Sequence, residues 1–300
     1  MPTDPRRFST PENLPYGKPI ALNPDDRRTL MPELEQRLQR FSQSDKPGLW
    51  PHLEKAKLIR QMGDRLRNPF EVSQGGQPFC GPTAILFELL RQQPIRYIDI
   101  CQDLFEIGFF QAQTKSISAI ERLRHSQGEL RMAEADWMLL ATLRDAENRI
   151  FQVDPNAPEF IQQLSGITKS WEMIGWAKEV LGYGRVRYRH AFVLGDVSAL
   201  RWAERSLRRG GVAFLLITAD GLLKAKALPV TVPNHWIVLL GNVQVTGPRA
   251  LWWWRSNRQI SLEIYSWARR YKIEVPELQF EDLFWGVVTA EPAEPAEPTV

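Results

Sequence analysis

Cys80 carries the strongest chemical signal in this chain. It follows the Gly- and Pro-rich segment Ser73-Gln74-Gly75-Gly76-Gln77-Pro78-Phe79 and opens Cys80-Gly81-Pro82-Thr83-Ala84, after which Ile85, Leu86, Leu89 and Leu90 recur at helical spacing. Pro82 suits a first helical turn, which needs no N–H from it. A thiol at a helix N-terminus faces backbone amides and the positive end of the dipole, and both favour thiolate, the nucleophilic form. Gln74, on the same loop, is placed to turn its carboxamide toward that point and, with the Cys80 amide, to form an oxyanion hole. Gln77 is the next candidate for that donor.

A cysteine nucleophile needs a base. His235, in Pro233-Asn234-His235-Trp236-Ile237-Val238-Leu239-Leu240-Gly241, stands at the mouth of the most apolar strand of the second half. His52 and His125 lie in polar helical surroundings and His190 closes a basic alternating strand, so these three read as solvated or capping residues. Cys101, within Ile98-Asp99-Ile100-Cys101-Gln102-Asp103-Leu104, reads as a small core residue.

Gln-Gly-x-x-x-x-Cys at the head of a helix, followed by Asn-His, a hydrophobic strand and Gly, resembles the papain-like cysteine peptidases. The Cys-Gly-Pro form resembles bacterial branches of that superfamily, including peptidases that trim bacteriocin leaders and toxins that bacteria deliver to other cells. The resemblance implies a Cys80–His235 acyl-enzyme peptidase acting on a protein substrate, with Gln74 at the oxyanion and no metal or organic cofactor. It also implies an Asn or Asp after the base, often in Asn-Ser-Trp-Gly. The nearest match is Tyr265-Ser266-Trp267-Ala268. Ser266 is the expected acceptor of the imidazole N–H and Trp267 its shield, with Tyr265, Glu263 and Asp282 as alternatives. A delivered toxin or effector would further require a tightly bound immunity protein. Two other readings stay open at this point. One is a deamidase, transglutaminase or acyltransferase using the same pair, and the other is a non-catalytic binding module.

The elements that must position these residues follow from periodicity. Helices are expected over 80–91, 97–109, 116–125, 132–148, 158–164, 170–181 and 196–209, the last capped by Gly210-Gly211. Strands are expected over 185–190, 211–219, 235–245, 250–255, 259–268, 270–275 and 283–290. Helices first and strands last indicate an α+β protein, with a helical lobe packed on an antiparallel sheet lobe. Residues 1–60 read as a Pro-rich arm and a helical extension with Thr29 as N-cap, 61–290 as the papain-like domain, and 291–300 as a disordered Glu-Pro-Ala tail.

Composition excludes other classes. An apolar share of 43% and a charged share of 24% belong to a packed protein, not a disordered one. Net charge is only +3 over 300 residues, too little to indicate nucleic acid as a partner. Two cysteines make no disulfide scaffold and no Cys-x-x-Cys occurs. No apolar run is long enough to cross a membrane, and the first twenty residues lack the apolar core of a cleavable leader. Cytosolic synthesis is expected, with any export left to a specialised system. Gly182-Tyr183-Gly184 lacks the third glycine of a dinucleotide loop. Trp252-Trp253-Trp254 reads as sheet packing, and Arg201, Arg205, Arg208 and Arg209 as a solvated helix face.

Overall fold

The computed structural model describes residues 17–19, 30–126, 131–147, 168–191, 195–224, 231–248 and 257–293. They belong to two compact units, one drawn from residues 21–168 with 267–269, the other from 12–20, 169–266 and 270–300. The chain is mixed α/β, mainly helical in the first unit and built on an antiparallel sheet in the second.

The first unit contains α1 (Met31–Gln43), α2 (Lys55–Arg67), a 3-10 turn (Pro69–Glu71), α3 (Cys80–Gln92), α4 (Pro94–Glu106), α5 (Glu121–Arg124) and α6 (Glu134–Glu147). Every residue of α3 from Cys80 to Leu90 is buried. A helix apolar on all sides has no solvent face to present, so it takes the centre and its neighbours wrap it. Its one buried charge, Glu88, is met by Arg91 at 2.7 Å. The boundary expected at residue 60 falls inside α2, whose Leu58, Met62 and Leu66 are buried. The extension shares the core of this unit: Phe41 meets Phe105 edge-on at 5.9 Å, and Trp50 Nε1 donates to Leu104 O at 2.8 Å.

Two helical expectations need correction. The helix expected over 97–109 runs Pro94–Glu106. It begins at a proline suited to the first turn and is stopped by Gly108 at φ +78°. Within 116–125 only Glu121–Arg124 is helical; Ser116–Ser118 (β3) pairs with Phe109–Gln111 (β2). The exposed–buried–exposed alternation of Ser116-Ile117-Ser118 is the strand period, and it outweighs the short helical spacing.

The second unit holds a sheet in the order β1 (Gly17–Pro19), β8 (Arg269–Pro276), β7 (Gln259–Ser266), β6 (His235–Thr246), β5 (Val212–Ile217), β9 (Phe284–Glu291) and β4 (Arg185–His190). Its helices are α7 (Ser170–Glu179), α8 (Asp196–Arg208), α9 (Ala219–Leu222) and α10 (Glu277–Leu283). The strand expectations over 185–190, 211–219, 235–245, 259–268, 270–275 and 283–290 each correspond to one of these strands. α9 and α10 fall where the sequence reading placed no helix. The Arg face of α8 is solvated: Arg208 pairs with Glu204 at 3.0 Å and Arg209 with Glu291 at 3.5 Å. The expected helix 158–164, strand 250–255 with its three tryptophans, Thr29, most of the N-terminal arm and tail residues 294–300 lie outside the described residues. Among the described residues no helix is long and apolar enough to cross a membrane.

The approach to α3 is fixed by one carboxylate. Asp136, wholly buried on α6, takes Arg65 Nε from α2 at 3.1 and 3.0 Å and the Ser73 N–H of the loop at 3.3 Å. Burial raises its pKa to about 6 despite the opposing Arg65 charge. Breaking a buried pair leaves the other charge uncompensated, so Asp136→Ala should cost about 3–5 kcal/mol in urea unfolding. Glu71→Gln removes only the exposed partner of Arg65, 3.4 Å away, and should stay within about 1 kcal/mol. Equal costs for the two variants would refute the anchoring role of Asp136.

Candidate active site

The candidate nucleophile lies in the first unit and the candidate base in the second. In the first, Cys80 is the first residue of α3, 7% exposed, with Phe79 as N-cap. The loop before it is folded by glycine: Gly75 and Gly76 have φ of +58° and +75°, and the Gln77 N–H closes the turn on Gln74 O at 2.9 Å. Phe79 packs on Trp137 of α6 at 5.9 Å and Phe70 on Phe87 of α3 at 5.0 Å, so both ends of the loop are pinned to helices. Gln74 is half-buried on this loop and Gln77 is buried. The residue after the thiol has no room for a side chain. A Cβ on Gly81 would sit 2.4 Å from Thr168, whose Oγ1 accepts a 2.8 Å bond from the buried Arg144 of α6. Cys101 is fully buried in α4, and burial pushes its thiol well up, as suits a core residue.

In the second unit, His235 opens β6 and is 6% exposed. Its Nε2 lies 2.8 Å from Ser266 Oγ, at the end of β7. Register explains this meeting. Val238 pairs with Tyr265, so those two share a face of the sheet. His235 precedes Val238 by an odd number of residues and Ser266 follows Tyr265 by one, which puts both on the opposite face. Tyr265 therefore points away from the ring. Glu263 is engaged elsewhere: Asn242 Nδ2 donates to it at 2.5 Å and Arg270 Nε at 3.0 Å. Burial raises its pKa, but these bonds prevail and lower it overall. Asp282 is exposed on α10. Trp267, expected in a strand, lies in a two-residue turn with Ala268, both in left-handed backbone at φ +45° and +58°. That geometry matches a tight hairpin and fixes where Ser266 ends β7.

Three further residues shape the segments around this histidine, and none was singled out from the sequence for that role. Asn234 Oδ1 accepts the Ala219 N–H at 2.8 Å, so the Asn of the Asn-His pair caps α9. Thr218 Oγ1 donates to Val232 O at 2.8 Å and accepts Trp285 Nε1 at 2.9 Å. Lys224, 2.9 Å from Asp220, adds positive charge near the ring. Burial, then Lys224, lowers the His235 pKa from 6.5 to about 4. The ring is thus neutral at physiological pH.

The sign of the resulting pH dependence follows directly. Between pH 6.5 and about 4 the unfolded chain binds a proton at this residue that the folded one does not. Stability should therefore rise with pH across that window and be level above it, a change of ~3 kcal/mol for this group. Asp136, with its raised pKa, pulls the other way below about 6, in wild type and variant alike. Subtracting the urea-unfolding profile of His235→Gln from that of wild type should isolate the histidine slope; identical profiles would refute the buried neutral ring. Compared with known protein families and with curated proteins, the chain matches none.

Proposed function

We propose that this chain is a cysteine hydrolase of the papain type, most simply a peptidase, with Cys80 as nucleophile and His235 as base. The observation that carries the reading is the buried His235 ring hydrogen-bonded at Nε2 by Ser266. A histidine sealed from water and hydrogen-bonded at Nε2 is fixed in orientation, and in this reading Nδ1 is the nitrogen that exchanges a proton with a reacting group. With the Ser266 hydroxyl accepting the Nε2 proton, the ring is the tautomer a base requires. The placement of Cys80 on the first turn of α3 supports the nucleophile's role, because the dipole of that helix favours a thiolate. Helices before an antiparallel sheet also agree with a papain-like order of elements.

In this reading Cys80 Sγ attacks the substrate carbonyl while its proton passes to His235. The oxyanion is met by the Cys80 amide and the Gln74 carboxamide. His235 then protonates the leaving amine and water releases the acyl group. Since His235 is a weak base here, it takes up the proton during attack and does not store it beforehand.

Alkylation of Cys80 by an epoxysuccinyl electrophile, followed by mass spectrometry, tests the pair without a known substrate. Cys80 should be labelled and buried Cys101 should not. His235→Ala should slow the reaction by at least about tenfold, and Ser266→Ala by up to about tenfold, since a neutral bond contributes roughly 0.5–1.5 kcal/mol. Cys80 labelling that is unaffected by His235→Ala would overturn the reading. For the reaction itself, wild type and Cys80→Ala would be expressed in a bacterial host and its proteins searched for new termini. A one-dalton gain on intact chains would show deamidation instead.

A further inference from the structure

We propose that Asp196, Glu277 and Glu281 form a binding site for a divalent cation of the calcium class within the second unit. Asp196 opens α8, and the two glutamates stand one turn apart on α10. One carboxylate oxygen from each lies within 4.8 Å of the other two. Oxygens on one ion can be separated by at most twice the metal–oxygen distance, about 4.6–5.2 Å for Ca²⁺ and about 4.0–4.2 Å for Mg²⁺. That bound is compatible with one ion held by all three, and an all-protein set of three hard carboxylates suits a calcium-class ion better than magnesium, which keeps several of its waters.

A second observation concerns Asp196 itself. The residue is 7% exposed, its carboxylate projects into the cluster, and its Oδ2 is sealed from solvent without a hydrogen-bond partner. A buried ionised oxygen in that condition is costly, and a cation is the partner that removes the cost. The charge balance agrees. Arg258 holds Glu277 through both Nε and Nη2, offsetting one carboxylate and leaving the charge of two, which a divalent ion neutralises. Exposed Asp282 adds negative potential beside the cluster, and Glu281, exposed at its mouth, gives an ion a way in. A bound ion would tie the start of α8 to α10 and, through Arg258, to the strand that ends at Ser266.

Titrating EDTA-stripped protein with CaCl₂ in a calorimeter, at mildly alkaline pH where the carboxyls are ionised, reads the site directly. One ion per chain is expected, together with a rise in Tm of roughly 4 °C or more at millimolar CaCl₂. MgCl₂ should bind at least about tenfold more weakly. Glu281→Gln, at the exposed position, and Asp196→Asn should each weaken calcium binding by at least about tenfold while far-UV circular dichroism stays native. Absence of both heat and Tm shift at millimolar CaCl₂, equal affinity for magnesium, or unchanged binding in both variants would each overturn the proposal.

Discussion

The cost of enclosing a charge fixes more of this molecule than any apolar contact does. Asp136 shows it most plainly. Its carboxylate has no exposure, so it must find donors, and the donors come from two different segments: Arg65 on α2 and the Ser73 N–H on the loop. Satisfying one buried group therefore fixes the spacing of α2 and α6 and the entry of the loop that ends at Cys80. Two nearby bonds reinforce the contact, Lys57 to Glu134 at 2.6 Å and Gln61 Oε1 to the Ala135 N–H at 3.2 Å. The thiol's position is thus set by polar links between helices together with the aromatic contacts that pin the loop.

The sheet unit uses a gentler version of the same constraint. His235 avoids the cost of a buried charge by staying neutral, and its Nε2 is satisfied by Ser266. The hairpin that delivers Ser266 carries its own cost, because Trp267 and Ala268 both occupy a backbone region that L-residues avoid by roughly 1–2 kcal/mol. Strain concentrated in the turn beside a buried polar pair is held in place by the rest of the strand: Ile260, Leu262 and Ile264 are fully buried.

What could be read from the sequence was what depends on neighbours in the chain. The start of α3 at Cys80, the strand beginning at His235 and the placement of Ser266 and Tyr265 on opposite faces all follow from local spacing. The helix expected over 116–125 is reduced to Glu121–Arg124 because Ser116–Ser118 finds a strand partner in Phe109–Gln111, outside its own segment. The boundary drawn at residue 60 failed because Leu58, Met62 and Leu66 show their burial only against partners far along the chain. Asp136, Thr218 and Asn234 were missed for the same reason. A lone polar residue in an apolar stretch gives no sign of which distant N–H it will accept. Gly81 is a partial exception: a glycine after the thiol invites the question of what approaches it, but only the fold answers with Thr168.

In the reaction proposed for Cys80 and His235, a ring with a pKa near 4 constrains the proton transfers. Moving a proton to it from an ordinary thiol of about 8.5 is uphill by roughly 6 kcal/mol, against about 3 kcal/mol for an unperturbed imidazole. A helix N-terminus recovers part of that difference, and so does any substrate that brings negative charge toward the ring as the oxyanion forms. The same weak basicity becomes an advantage in the second half of the reaction. An imidazolium that holds its proton loosely is a strong acid toward a leaving amine. Under that proposal, burial of His235 favours proton return to the leaving group over a stored thiolate, and the neutral Ser266 bond leaves that balance in place. An aspartate in its place would stabilise the imidazolium and raise the ring's pKa, shifting the resting state toward the ion pair.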